Sequence, residues 1–173
     1  MTPTYGLLRV PQGWVAVVGS LHGLCGLVLP RREWRDVELA VLRAHPGALF
    51  DQDRFDEILC RVERYFSGDR VDFPDAVDFG TASAFRQEVW RAARQIPHGE
   101  TRTYGWLAER ISRPTAARAV GRALGENPIP LVIPCHRVVG RKGDLCGFAD
   151  GLETKALLLA LEEQGASIPI KTA

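Results

Sequence analysis

The chain opens with three short β-prone apolar runs, Tyr5–Val10, Trp14–Ser20 and Leu24–Leu29, separated by turn signals at Pro11-Gln12-Gly13 and His22-Gly23. The period then changes. Trp34, Val37 and Val41 recur at helical spacing and predict a helix over Trp34–Ala44. Phe55, Ile58, Leu59, Val62 and Phe66 share one face of a second helix, stopped by Ser67-Gly68-Asp69. Residues 69–81, with Pro74, Gly80 and several aspartates, read as a linker. Beyond it the pattern is helical. Ser83–Gln95 carries Phe85, Val89 and Trp90 on one face, with Ser83 placed as N-cap. Tyr104–Ile111 and Thr115–Leu124 are short helices joined at a tight break, Ser112-Arg113-Pro114, with Pro114 near the first turn of the second. Such a pair is a helix-turn-helix pattern, which many small helical domains share. A last helix is predicted over Glu153–Glu163.

The order predicts an α+β chain of two domains: a small N-terminal α/β domain over 1–78 and a mainly helical C-terminal domain over 79–173. The 173 residues are 46% hydrophobic, enough for a core. No apolar run approaches the ~18 residues that span a bilayer, and no charged head precedes an apolar signal core, so neither membrane nor export is expected. Cys25, Cys60, Cys135 and Cys146 are scattered and form no CxxC pair. This argues against a disulfide framework and for a reducing cytoplasm.

The net charge of +1 hides an asymmetry, with residues 1–79 at −3 and residues 80–173 at +4. A local excess of +5 over 100–142 is compatible with phosphate contacts. Within it, Ala116, Ala117, Ala119, Gly121 and Ala123 make one short helix smooth, while Arg118 and Arg122 share a face at i, i+4. A smooth helix of this kind suits a groove, or close packing against neighbouring helices.

The candidate chemistry sits in Asn127-Pro128-Ile129-Pro130-Leu131-Val132-Ile133-Pro134-Cys135-His136-Arg137-Val138. Three prolines and a β-rich apolar run stiffen the approach to one thiol beside one imidazole. On an extended segment the two side chains would point to opposite faces. Either the backbone turns there or a water relays the proton. Glu162 is the carboxylate best placed to orient the imidazole, and the Tyr104 hydroxyl is a candidate proton donor. No His or Cys cluster has metal-ligand spacing, so no metal is expected.

These residues together resemble the O6-alkylguanine-DNA alkyltransferases, the methylated-DNA–protein-cysteine methyltransferases. Pro134-Cys135-His136-Arg137-Val138 resembles their active-site signature, and Thr103-Tyr104-Gly105 with Pro114–Gly121 their helix-turn-helix. Asn127-Pro128 resembles the stretch leading to the nucleophile. Gly147-Phe148-Ala149, Gly151-Leu152, Lys155 and Leu157-Leu158 resemble the binding loop and final helix. The resemblance covers about residues 79–165, and residues 1–75 fit more loosely.

The resemblance implies a ribonuclease-H-like N-terminal domain and a winged-helix-like C-terminal one. Cys135 would accept an alkyl group irreversibly from O6-alkylguanine flipped out of duplex DNA, with O4-alkylthymine a further candidate substrate and no cofactor. His136 would act as base through a water, oriented by Glu162. Tyr104 would protonate the departing guanine, and Asn127 would brace the turn. Arg118 would fill the vacated stack, with Thr115, Ala116, Ala117, Arg122 and Arg137 also at the DNA. The carbonyls of Cys135 and Val138 and the residues Phe148, Ala149 and Asp150 would form the base pocket. Phe148 stands where many members have tyrosine, and Asp150 where glycine or a bulky residue is commoner. The protein is expected to be a monomer, with cooperative binding along DNA left open. Two other readings stand beside this one: a lesion-binding module without transfer, and a Cys-His-Glu hydrolase that turns over.

Overall fold

The computed structural model describes residues 2–166. Residues 167–173, the end of the expected second domain, lie outside the described residues. The chain divides into two compact units: 1–67 with 71–81 and 128–132, and 68–70 with 82–127 and 133 onward.

The first unit is built on a four-stranded sheet of order β3-β2-β1-β4. Its strands are β1 (Thr4–Val10), β2 (Gly13–Ser20), β3 (Gly23–Arg31) and β4 (Leu49–Phe50). The hairpins β1–β2 and β2–β3 are antiparallel, whereas β4 pairs parallel to β1. Gly13 and Gly23 take positive φ of 138° and 141° at the turns, where an added Cβ would collide with the Arg31 and Ala76 carbonyls. Helix α1 (Trp34–Ala44) buries Val37 and Val41 against Tyr5, Ala16 and Val18. On alternate strand positions Gly6 and Gly19 leave room for Phe55 and Leu59. These come from a 3₁₀ turn at Asp53–Phe55 and helix α2 (Asp56–Phe66).

The segment expected as a linker is instead attached to this sheet. Leu24 N–H donates to the Ala76 carbonyl at 2.8 Å, and Asp78 N–H to the Leu24 carbonyl at 2.8 Å, forming a parallel bridge beside β3. The open edge of β3 supplied unpaired backbone groups, and 76–78 satisfies them. Farther along the same strand, Leu27 N–H donates to the Pro128 carbonyl at 2.9 Å.

The second unit packs α3 (Ala84–Ala93), α4 (Tyr104–Arg110) and α5 (Ala117–Gly125) against one another. As expected, Ser83 caps α3, its Oγ accepting from Arg86 N–H. Thr103 caps α4 through Trp106 N–H at 3.0 Å. Trp90 Nε1–H donates to the Ala123 carbonyl at 2.8 Å and ties α3 to α5. Helix α5 begins later than expected. Ala116 is its N-cap rather than Thr115 its first residue, and Pro114 lies in the turn before it. Short strands β5 (Arg102–Thr103) and β6 (Val138–Val139) pair in parallel, and α6 (Leu152–Ala166) packs against the turn before β6. No helix among the described residues is long and apolar enough to cross a membrane.

Candidate active site

The approach to the thiol is not the extended run expected from its β-prone residues. Residues 130–132 form a turn in which Leu131 adopts φ 71°, and Cys135–Arg137 form a 3₁₀ turn. The prolines explain the departure, because Pro128, Pro130 and Pro134 cannot donate to a ladder. The turn closes on itself through Cys135 N–H to the Ile133 carbonyl (2.8 Å) and Arg137 N–H to the Pro134 carbonyl (3.0 Å).

A 3₁₀ turn has three residues per revolution, so successive side chains diverge by about a third of a turn. That resolves the Cys-His geometry left open above. Cys135 turns toward Asn127, whose Nδ2 donates to its Sγ at 3.1 Å and to the Ile133 carbonyl at 2.8 Å. His136 turns inward and is fully buried, its Nε2 2.6 Å from Glu162 Oε1.

Glu162 is a convergence point. Besides His136 it accepts Arg137 Nε at 2.9 Å on Oε2, Arg137 Nη2 at 3.0 Å on Oε1, and Gly99 N–H at 2.9 Å on Oε2. Arg137 Nη1 donates to the Ile96 carbonyl at 2.6 Å. Arg137 was expected at the DNA. The structure corrects this: its side chain is buried and clamps the carboxylate that orients His136, which leaves no face for a phosphate. Burial pushes Glu162 upward, but hydrogen bonds from His136 and Arg137, with the charge of Arg137, outweigh it and hold the carboxyl well below the usual range. Burial also depresses His136, which leaves its imidazole neutral.

Burial pushes the Cys135 thiol up to about 11, opposed by the Asn127 hydrogen bond and the charge of Lys155. Its resting form is therefore the thiol, and reaction requires its proton to be taken. Tyr104, half-buried at the start of α4, is pushed up to about 12, chiefly by burial. It keeps its proton and can donate it.

Lys155 has a larger part than its place in the sequence suggested. Fully buried, its Nζ donates to the Val138 carbonyl at 2.6 Å and to the Cys146 carbonyl at 3.2 Å. It lies 5.7 Å from the Tyr104 ring centroid. It is the sole cation of α6, set among Ala156, Leu157 and Leu158, and a lone lysine in an apolar stretch is the signal that marks it. The Val138 carbonyl, expected to face a base, thus already accepts one hydrogen bond.

A groove of about 620 Å³ is lined by Tyr104, Ala117, Arg118, Gly121 and Arg122 on one side and by Cys146, Phe148 and Ala149 on the other. Its floor is apolar or small, and Arg118 and Arg122 are exposed at its margin. Thr115 and Ala116 precede α5 outside this lining. Asp150 follows the wall, its carbonyl accepting from Thr154 Oγ1 at 2.8 Å. The structure therefore makes two groupings of the expected residues: Cys135 with Asn127 and His136 with Glu162, and Tyr104, Ala117, Arg118, Arg122, Phe148 and Ala149 around the groove. No group of three or more potential metal ligands occurs among the described residues.

Residues 84–164 match the family described as 6-O-methylguanine DNA methyltransferase, DNA binding domain. A methylated-DNA–protein-cysteine methyltransferase of Methanosarcina mazei is 48% identical over 159 residues, covering 92% of this chain and 96% of that protein. The namesake from Mycolicibacterium paratuberculosis is 52% identical over 100 residues, a match spanning 58% of this chain and 60% of that protein. Among solved structures, Mycobacterium tuberculosis OGT in complex with DNA superposes with a TM-score of 0.80 at 34% identity, covering 94% of each chain.

Proposed function

The chain belongs to the methylated-DNA–protein-cysteine methyltransferase family, and on that premise we propose how its site carries out direct-reversal repair of O6-alkylguanine in DNA. The observation that carries the reading is one buried thiol, Cys135, held by Asn127 on the turn that also sends His136 to Glu162. The acceptor is consumed, one protein per lesion.

The α4–α5 pair acts as a helix-turn-helix of winged-helix type, with α5 against the duplex, and the first unit is a ribonuclease-H-like scaffold. Residues 79–173 carry binding and transfer. Thr115, Ala116 and Ala117 approach the backbone at the start of α5. Extruding the nucleotide costs a few kcal/mol, offset by Arg118 entering the stack and by phosphate attraction. The base lies in the groove between α5 and Phe148-Ala149, with Asp150 at its end and the Cys135 and Val138 carbonyls toward its amine. His136 is neutral, and with Nε2 on Glu162 its other ring nitrogen takes the Cys135 proton through a water. Sulfur then forms a bond to the alkyl carbon in line with the breaking C–O6 bond. The guanine takes the electron pair and a proton from Tyr104. Solvent carries the proton from the His136 imidazolium back to the Tyr104 phenolate, so the net change is one alkyl group moved from O6 to the Cys135 sulfur and one proton moved from the thiol to guanine. Lys155 adds a positive charge that favours the thiolate and ties β6 to the groove wall. The protein acts as a monomer in the cytoplasm, where its four free cysteines persist.

Incubation with excess duplex carrying O6-methylguanine tests the proposal. It requires one methyl per protein, on Cys135 by peptide mass, and none in Cys135→Ser. Repeated turnover would replace it with the hydrolase reading, and binding without any transfer with the lesion-binding module.

A further inference from the structure

The turn after β6 carries Arg141 and Lys142, which have no part in the mechanism above. Both are exposed, and their side chains make no hydrogen bond or ion pair among the described residues. The turn itself is tightly closed. Gly140 N–H donates to the Asp144 carbonyl at 2.8 Å and Gly143 N–H to the Gly140 carbonyl at 3.0 Å, with Gly143 at φ 80°. Asp144 adds its side chain: Oδ1 accepts Lys142 N–H at 3.2 Å, and Oδ2 accepts the Cys146 thiol at 3.3 Å. Cys146 N–H also donates to the Asp144 carbonyl at 3.0 Å. A Cβ on Gly140 would stand 2.5 Å from the Asp144 carboxylate, so the space Asp144 occupies exists because residue 140 is glycine. Cys146, the far end of this latch, lines the groove across from Arg118 and Arg122.

We propose that Asp144 latches this turn so that Arg141 and Lys142 form a second cationic rim of the groove, contacting phosphates of the duplex on the side away from Arg118 and Arg122. The inference rests on the DNA-repair reading and names residues that reading does not use. It also accounts for an acidic side chain beside a polyanion. By charge alone Asp144 repels phosphate, and its removal should tighten binding. As a latch its removal frees the two cations and loosens binding.

The two signs are separable with the full-length protein. The measurements are affinity for an O6-methylguanine duplex over a potassium chloride series, and single-turnover transfer to Cys135 from that duplex and from free O6-benzylguanine. Arg141→Ser/Lys142→Ser should flatten the slope of log affinity against log salt by about 1.8, since each phosphate contact contributes ~0.9. It should also lower the ratio of duplex to free-base transfer rates. Asp144→Ala should weaken duplex binding although it removes a negative charge. Asp144→Asn, which keeps an oxygen for Lys142 N–H, should bind at least as well as the parent. Gly140→Ala, which displaces the carboxylate, should reproduce Asp144→Ala and add nothing to it in the double variant. Tighter binding by Asp144→Ala, or an unaltered salt slope in the Arg141/Lys142 variant, overturns the rim. A parent protein that puts no alkyl group on Cys135 from either substrate defeats the repair reading itself, an outcome distinct from both.

Discussion

Glu162→Gln is the sharpest test of the buried cluster. The substitution keeps the side chain's shape but removes its charge and turns one acceptor oxygen into a donor. Glu162 is 1% exposed and Arg137 6% exposed, and the carboxylate accepts from His136, Arg137 and Gly99. In the variant the guanidinium of Arg137 stays buried without a counter-charge, facing an amide that can satisfy fewer of these donors. Breaking a buried pair from one side costs about 3–5 kcal/mol. At ~2–4 °C per kcal/mol for a chain of this size, the melting temperature should fall by roughly 6–20 °C, read by circular dichroism and by urea titration. Arg137→Met in the same background removes the stranded charge and should recover much of the loss. The pH dependence has a definite sign. Glu162's depressed folded pKa means that its contribution is fully present above the ordinary carboxylate value of ~4.3 and is lost as pH falls below it through the folded value. The gap between parent and variant should therefore be constant from pH 8 to about 5 and narrow only in acid. Transfer should slow separately, on the order of 10²-fold, because His136 loses the partner that orients it. A loss under about 1 kcal/mol, or a gap that widens in acid, would refute the reasoning.

Four further outcomes follow. His136 is kept neutral by burial, so the single-turnover rate should be flat above the ordinary histidine value of ~6.5 and fall only below it; a break above pH 7 would argue against an imidazole base. Lys155→Met removes a charge that lowers the Cys135 pKa, so peptide-mapped alkylation of Cys135 by iodoacetamide should shift to higher pH; no shift would remove Lys155 from the site's electrostatics. Gly26→Ala would place a Cβ 2.8 Å from His45 Nε2 and 3.2 Å from Val18. It should cost about 1–3 kcal/mol by urea denaturation, and a neutral result would mean that this face of β3 yields freely. Asp150→Gly should raise the rate with O6-benzylguanine relative to O6-methylguanine in oligonucleotides, and equal ratios in parent and variant would remove Asp150 from substrate selection.

How much of this was legible depended on whether the deciding interaction was local. The helix over Trp34–Ala44 and the Ser83 cap follow from spacing and from one side chain meeting a backbone N–H three residues on, and both stand where the pattern put them. The cysteine, the histidine and the distant glutamate were legible as chemistry. Their geometry was not, because the β-prone residues of Ile129–Ile133 are overridden by three prolines that cannot join a ladder, and the segment turns with Leu131 at φ 71°. That one change of backbone redirects the next three side chains. On a strand Cys135 and Arg137 would share a face, and Arg137 would read as a surface cation beside the reactive thiol. On a 3₁₀ turn Cys135 goes to Asn127, while His136 and Arg137 both go to Glu162, twenty-five residues or more away in the chain. A basic residue next to a nucleophile in a DNA-facing domain invites a phosphate contact by charge. Whether it makes one is decided by which buried carboxylate the turn lets it reach.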